Sequence, residues 1–209
     1  MSRYFETRYT FDPGRERVWR AIAEYLQREV PADSTIVELG SGYADFINQI
    51  NAKVKIAVDL DSHAAAYCKP PVQFIQASVT ALPLSDGSAD VIFASNLFEH
   101  FSDEDLTRLI GEVRRVLRAN GKLILLQPNY YYSFREYWDD YTHRKAFSHH
   151  SLSDFLTTSR MKVTRVVPRL LPFSFKSLLP RSYWLTKIYL QLPWRPMAKQ
   201  MLAVAQRES

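Results

Sequence analysis

Short apolar runs alternate along this chain with longer stretches whose apolar residues recur every three or four positions. The runs predict buried strands at 35–37, 53–58, 72–76, 89–94, 122–127, 162–167 and 200–205. The longer stretches predict amphipathic helices between them. Val18, Trp19, Ile22, Ala23, Tyr25 and Leu26 mark one over about 15–29, opened by the turn signal Pro13-Gly14 and ended by Pro31. Phe46, Ile47 and Ile50 mark the inner face of another that begins at Tyr43. Leu106, Leu109, Ile110, Val113 and Leu117 mark a third, capped by Ser102, with Asp103, Glu104 and Asp105 in its first turn and Asn120-Gly121 at its end. Shorter helices are expected from Ser62 to Cys68 and from Ser151 to Ser159, the second with His149 and His150 as capping residues. This alternation predicts an α/β fold with a doubly wound, mostly parallel sheet and helices on both faces.

In such sheets ligands gather beyond the carboxyl ends of the strands. There the first strand leads into Glu38-Leu39-Gly40-Ser41-Gly42, whose glycines allow a sharp turn and a close approach to a ligand. A dinucleotide fingerprint would have a third glycine where this chain has Asp45, and an anion there is the wrong sign for a diphosphate. Glu38 suits a ligand with cationic groups. Asp59 ends the second strand, 17 residues after Gly42, where a carboxylate accepts from both hydroxyls of a ribose. A helix cap is the alternative for Asp59, and Asp61 is expected to cap the helix that follows. A tight turn with no ligand is the alternative for the glycine loop. Ser78 and Asn96 follow the third and fourth strands on the same edge.

Four blocks in order, VELGSG (37–42), AVDLD (57–61), ALPLSDGSADVIFASNLFEHF (81–101) and LRANGKLILLQPN (117–129), resemble the class I S-adenosylmethionine (SAM) dependent methyltransferases. The resemblance implies a seven-stranded Rossmann-like methyltransferase sheet whose seventh strand, antiparallel, is the run at 200–205. It implies SAM as cofactor, with Glu38, Gly40, Ser41 and Gly42 around its methionine part and Asp59 and Leu60 at the ribose. Ser78 and Val79 would lie at the adenine and Asn96 near the methyl group. Ala44 stands where the family often has a third glycine, a departure expected to cost little. Ser78 replaces an aspartate that often holds the adenine, and a hydroxyl is a weaker acceptor than a carboxylate.

Methyl transfer needs an acceptor aligned with the methyl carbon and, for a hydroxyl, a group to take its proton. His100 follows the fourth strand and His143 lies in the segment after the fifth, so these two are the catalytic candidates, with ordinary hydrogen-bonded loop histidines as the alternative. The stretch 128–147 is rich in aromatic residues. Tyr130, Tyr137, Trp138 and Asp140 are the candidate acceptor contacts, since rings with polar tips suit a sugar or a planar molecule. This stretch resembles a segment of methyltransferases from polysaccharide and lipid-linked glycan biosynthesis. A small-molecule or glycan acceptor, O-methylated, is therefore expected, and no metal. RNA methylation and a non-catalytic SAM-binding protein are the alternatives. Against RNA, the fourth strand exits as Ser95-Asn96-Leu97-Phe98 rather than the Asn-Pro-Pro-Tyr of many nucleic-acid amino methyltransferases.

Composition fits one domain over 1–209: 46% of the residues are hydrophobic and 23% charged, as in globular proteins. A lone cysteine, Cys68, excludes an internal disulfide framework, and with no apolar leader the expected location is cytoplasmic. The net charge of +5 is unevenly spread. Residues 155–207 hold ten Lys or Arg and no Asp or Glu, so the remainder carries 17 − 22 = −5. Beyond the N-terminal helical arm (1–33), the second distinctive segment is a basic, aromatic insertion at 168–199. In it Leu185, Ile188, Tyr189 and Leu192 stand at helical spacing. It reads as a lid over the substrate, as packing against the domain or a second subunit of a homodimer, or as a peripheral contact with an anionic membrane.

Overall fold

The computed structural model describes residues 14–172 and 181–208. The aromatic N-terminal residues Tyr4, Phe5, Arg8, Tyr9 and Phe11, and positions 173–180 of the basic insertion, lie outside the described residues.

Seven strands form one sheet: β1 (Thr35–Leu39), β2 (Val54–Asp59), β3 (Gln73–Gln76), β4 (Ala89–Ser95), β5 (Leu117–Pro128), β6 (Met161–Pro172) and β7 (Ala198–Arg207). Their spatial order is β3-β2-β1-β4-β5-β7-β6. The first five run parallel, and β7 runs antiparallel between β5 and β6. The order reverses at β1, so the exits of β1 and β4 flank the crevice where ligands bind in such sheets.

Alternate residues of the central strands serve opposite faces, and each face has its own core. Val37, Leu39, Ile92, Ala94, Leu123 and Leu125 pack under α2 (Asp103–Val116) and α4 (His149–Thr158). Ile36, Phe93, Ile124, Leu126, Leu202 and Val204 pack under α1 (Gly14–Leu26) and α5 (Tyr183–Gln191). A short helix, α3 (Tyr130–Ser133), follows β5. Ser102 caps α2 by accepting from the Asp105 amide, as its sequence predicts.

Three local expectations change. The stretch after the glycine loop is a series of turns rather than a helix. Ala44 there has a left-handed φ of +52°, and the Ile47 amide donates to the Glu38 carboxylate instead of continuing a helical ladder. Phe46, Ile47 and Ile50 are nonetheless buried. The missing third glycine is therefore not cheap: a left-handed alanine costs about 1–2 kcal/mol. Second, α4 is capped by Ser148 through a capping box with Ser151, so His149 and His150 occupy its first turn and are not its caps. Third, α5 turns Leu190 inward and leaves Leu185 and Ile188 exposed, so its buried face lies to one side of the stripe read from spacing.

Phe46 stacks on Phe93 with ring centroids 3.8 Å apart, and Trp19 meets both edge-on at 6.4 and 6.5 Å. This trio locks α1 and the post-β1 turns onto the sheet. Phe46→Ala removes the middle ring from a fully buried position and is expected to destabilise the fold by about 3–5 kcal/mol. Urea unfolding would show this as a lower midpoint at unchanged slope.

Candidate active site

The carboxyl ends of β1, β2, β4 and β5 lie on one edge, and the sequence candidates collect there. Gly40 and Gly42 take positive φ values of +65° and +51°. A Cβ on Gly40 would stand 2.9 Å from Leu97 Cδ1, so the loop lies directly against the exit of β4. The Gly40 and Ser41 amides both donate to the Val58 carbonyl of β2, at 2.8 and 3.2 Å. Asp59 completes the tie: one carboxylate oxygen accepts from the Gly42 amide at 2.8 Å, and the other accepts from the Asp61 amide at 2.9 Å. Asp61 caps the short helical turn at Ser62–Tyr67, as expected.

Glu38 is buried, and one of its oxygens accepts from the Ile47 amide at 3.0 Å. Burial holds its carboxyl well above the usual range, with the charges of Asp45 and Asp59 adding to the effect. Ser41 Oγ is buried and makes no hydrogen bond. A glycine loop two acids deep, with an orphaned hydroxyl in its middle, fits the amino-acid end of a cationic ligand. Leu60 is exposed, Val79 is buried, and the Ser78 hydroxyl pairs with Thr80 at 2.8 Å.

Asn96, at the exit of β4, has a φ of +48°. Its amide donates to the Leu126 carbonyl at 2.8 Å, its side-chain nitrogen donates to Ser95 Oγ at 3.1 Å, and its side-chain oxygen accepts from Gln200 at 3.0 Å. Strain of about 1–3 kcal/mol held by so many bonds is typical of functional positions.

Past Asn96 the chain makes a single turn over Phe98–His100. The Glu99 carbonyl there accepts from the Arg144 and Lys145 amides, at 2.8 and 3.1 Å. This clamp carries His143 to His100, with ring centroids 5.0 Å apart. His143 Nδ1 donates to the Tyr137 carbonyl at 2.6 Å. His100 Nδ1 donates to Thr142 Oγ1 at 3.0 Å, and that hydroxyl donates in turn to Asp140 at 2.7 Å. Burial and the neighbouring His143 press the His100 imidazole below its usual value, while hydrogen bonds to the backbone of Thr142 and Asn96 and the charge of Asp140 oppose this. The two catalytic candidates thus stand together.

Of the acceptor candidates, Tyr130 and Trp138 are at least partly exposed, and their rings lie 6.3 Å apart. Asp140 accepts from both the amide and the hydroxyl of Thr142. Tyr137 is a correction. It is fully buried, and its hydroxyl donates to the Lys145 carbonyl at 2.5 Å. It anchors the 137–145 loop and offers no surface to a substrate.

Sequence reasoning passed over Glu99. It is 1% exposed, and neither of its carboxylate oxygens has a hydrogen-bond partner. Burial, with Asp140 adding, pushes its carboxyl up to about 8, against the opposing effect of its own backbone amide. Burial, with the charges of Glu38 and Asp59, pushes the Cys68 thiol up to about 11.

The fold and the edge site resemble those of class I, SAM-dependent methyltransferase domains. Residues 37–125 match the family profile described as "Methyltransferase domain". A Mycobacterium tuberculosis protein provisionally named an S-adenosylmethionine-dependent methyltransferase is 38% identical over 93 residues, which cover 43% of this chain and 33% of that one. The chain thus spans about a third of that relative. Among solved structures, the PH0226 protein of Pyrococcus horikoshii superposes with a TM-score of 0.71 over the whole of both chains at 14% identity. Geranyl diphosphate methyltransferase, solved in complex with SAM, gives a TM-score of 0.65 at 17% identity, covering 90% of this chain and 85% of that one. These two likenesses are of fold, and the fold is the seven-stranded Rossmann-like sheet that the sequence predicts. No helix among the described residues is long and apolar enough to cross a membrane.

Asp59→Ala would free the Gly42 and Asp61 amides and loosen the loop that Ser41 and Gly42 share. Calorimetric titration of the folded variant is expected to show at least about tenfold weaker SAM binding, since one hydrogen bond to a charged group is worth about 1.5–3 kcal/mol.

Proposed function

We propose that the protein moves a methyl group from SAM to a hydroxyl of a small-molecule or glycan acceptor. The observation that supports this most directly is the pairing of His100 and His143 immediately beyond Asn96. When bound, SAM supplies an electrophilic methyl carbon on a sulfonium and departs as S-adenosylhomocysteine. Gly40, Ser41 and Gly42 hold its amino-acid end, with Glu38 beneath them. Asp59 shapes that loop and, with Leu60, borders the ribose. Ser78 and Val79 border the adenine. Tyr130 and Trp138 receive the acceptor. The Nδ1 bond of His143 to the Tyr137 carbonyl fixes the tautomer with its basic nitrogen at Nε2, which takes the hydroxyl proton as the C–O bond forms and the C–S electron pair leaves with sulfur. His143→Asn is expected to lower kcat by about 10²–10⁴-fold while SAM affinity holds. The test is transfer of radiolabelled methyl groups to a panel of sugars, lipid-linked glycans, phenols and RNA. Labelling confined to RNA would overturn the reading.

The basic segment supports a partner of a second kind. Trp184, Leu185, Ile188, Trp194 and Met197 are all exposed around α5, within the stretch that carries ten basic residues and no acids. We infer a peripheral contact with an anionic lipid surface, which aromatic and aliphatic groups enter while cations meet the headgroups. Co-sedimentation with vesicles is expected to rise with phosphatidylglycerol content and to fall in Trp184→Ser/Trp194→Ser. Binding indifferent to anionic lipid would sink it.

A further inference from the structure

The donor atoms of Glu99, His100 and His143 all lie within 4.8 Å of one another. We propose that these three side chains form a binding site for one divalent transition-metal cation of the zinc type.

Three observations carry it. First, both Glu99 oxygens are buried without a hydrogen-bond partner. An unpaired buried carboxylate costs several kcal/mol, and either a proton or a cation relieves that cost. Second, a proton would need only the carboxyl, yet here two imidazoles stand around it. Each donates Nδ1–H to an oxygen, His143 to the Tyr137 carbonyl and His100 to Thr142. Such outer bonds orient metal-ligating histidines, and Asp140 behind Thr142 extends the relay in the usual way. Third, the chemistry of the set is selective. Two imidazoles and one carboxylate suit zinc, iron, cobalt or manganese, whereas calcium and magnesium prefer oxygen ligands alone. Zinc bonds of about 2.0–2.2 Å place donors roughly 3–3.5 Å apart, so the rings close on the ion by turning inward on the order of 1 Å.

The site is built by the backbone and not by chance approach. The Glu99 carbonyl clamps residues 144 and 145, Tyr137 anchors the same loop from within, and Lys145 pairs with Asp103 at 2.7 Å. The three ligands leave coordination positions open, which an oxygen of the acceptor can occupy. That last role rests on the methyl-transfer reading, and the binding of the ion does not. Were the ion bound during turnover, His143 would serve as a ligand and not as the base, and the cation would supply the activation of the acceptor hydroxyl.

The test strips the full chain with a chelator, then titrates Zn²⁺ by calorimetry and Co²⁺ by its visible d–d bands. Wild type is expected to take one equivalent, with a tetrahedral or five-coordinate cobalt spectrum. Glu99→Gln and His143→Ala are expected to weaken zinc by at least tenfold and to lose the cobalt bands, with circular dichroism and SAM binding retained. His149→Asn/His150→Asn, which alters the pair at the start of α4, is expected to keep the full equivalent. The proposal is overturned if wild type takes no stoichiometric ion, if Glu99→Gln binds as wild type does, or if the His149/His150 change abolishes binding. SAM titrations on the same samples separate the two failures: loss of SAM binding in wild type sinks the methyltransferase reading and leaves the metal result standing.

Discussion

The Asp59 carboxylate is the tie on which the site depends. It closes the exit of β2 on the exit of β1 by accepting from the Gly42 amide with one oxygen and from Asp61 with the other. Two neighbouring strand ends are thereby held together on one side of the switch in strand order. Everything further out is referenced to that junction. The loop leans on Leu97 through Gly40, Leu97 leads to Glu99, and the Glu99 carbonyl holds the histidine loop. An Asp at this position can serve a ligand only after it has served the backbone, which is why it is 8% exposed.

Charge has been moved to the carboxyl edge of the sheet and then hidden. Glu38, Asp59 and Glu99 are all buried there, and two of the three carboxyls are shifted upward by that burial. The basic C-terminal third, by contrast, sets its charges against acids of the N-terminal helical region, Lys187 against Glu24 of α1 and Arg165 against Glu29 in the turn that follows α1.

The sheet and the glycine loop were legible because their signals are local. A β-branched run, an acid and two glycines lie within eight residues, and the next acid follows at the end of the neighbouring strand. Strand order beyond that came from the resemblance, and the structure agrees with it. What stayed hidden depends on contacts far along the chain. Glu99 reads as an ordinary loop acid until residue 143 is brought over it, 44 positions later. Tyr137 was indistinguishable from its aromatic neighbours, since composition says nothing about which ring turns inward. Ala44 gave no sign of its left-handed backbone, because that conformation belongs to the folded turns around it, where the Ile47 amide meets Glu38.

The position of β7 bears on synthesis. β6 pairs with β7 and with no other strand among the described residues, and β5 is covered on its outer side by β7 as well. A ribosome therefore makes β6 before the strand that joins it to the rest of the sheet. Until residues 198–207 emerge, β5 presents a long bare edge and β6 hangs unpaired, the kind of exposed edge that invites pairing with other chains. The Gln200 contact that holds Asn96 arrives in that same late strand, so the exit of β4 receives its last tie only once β7 is in place.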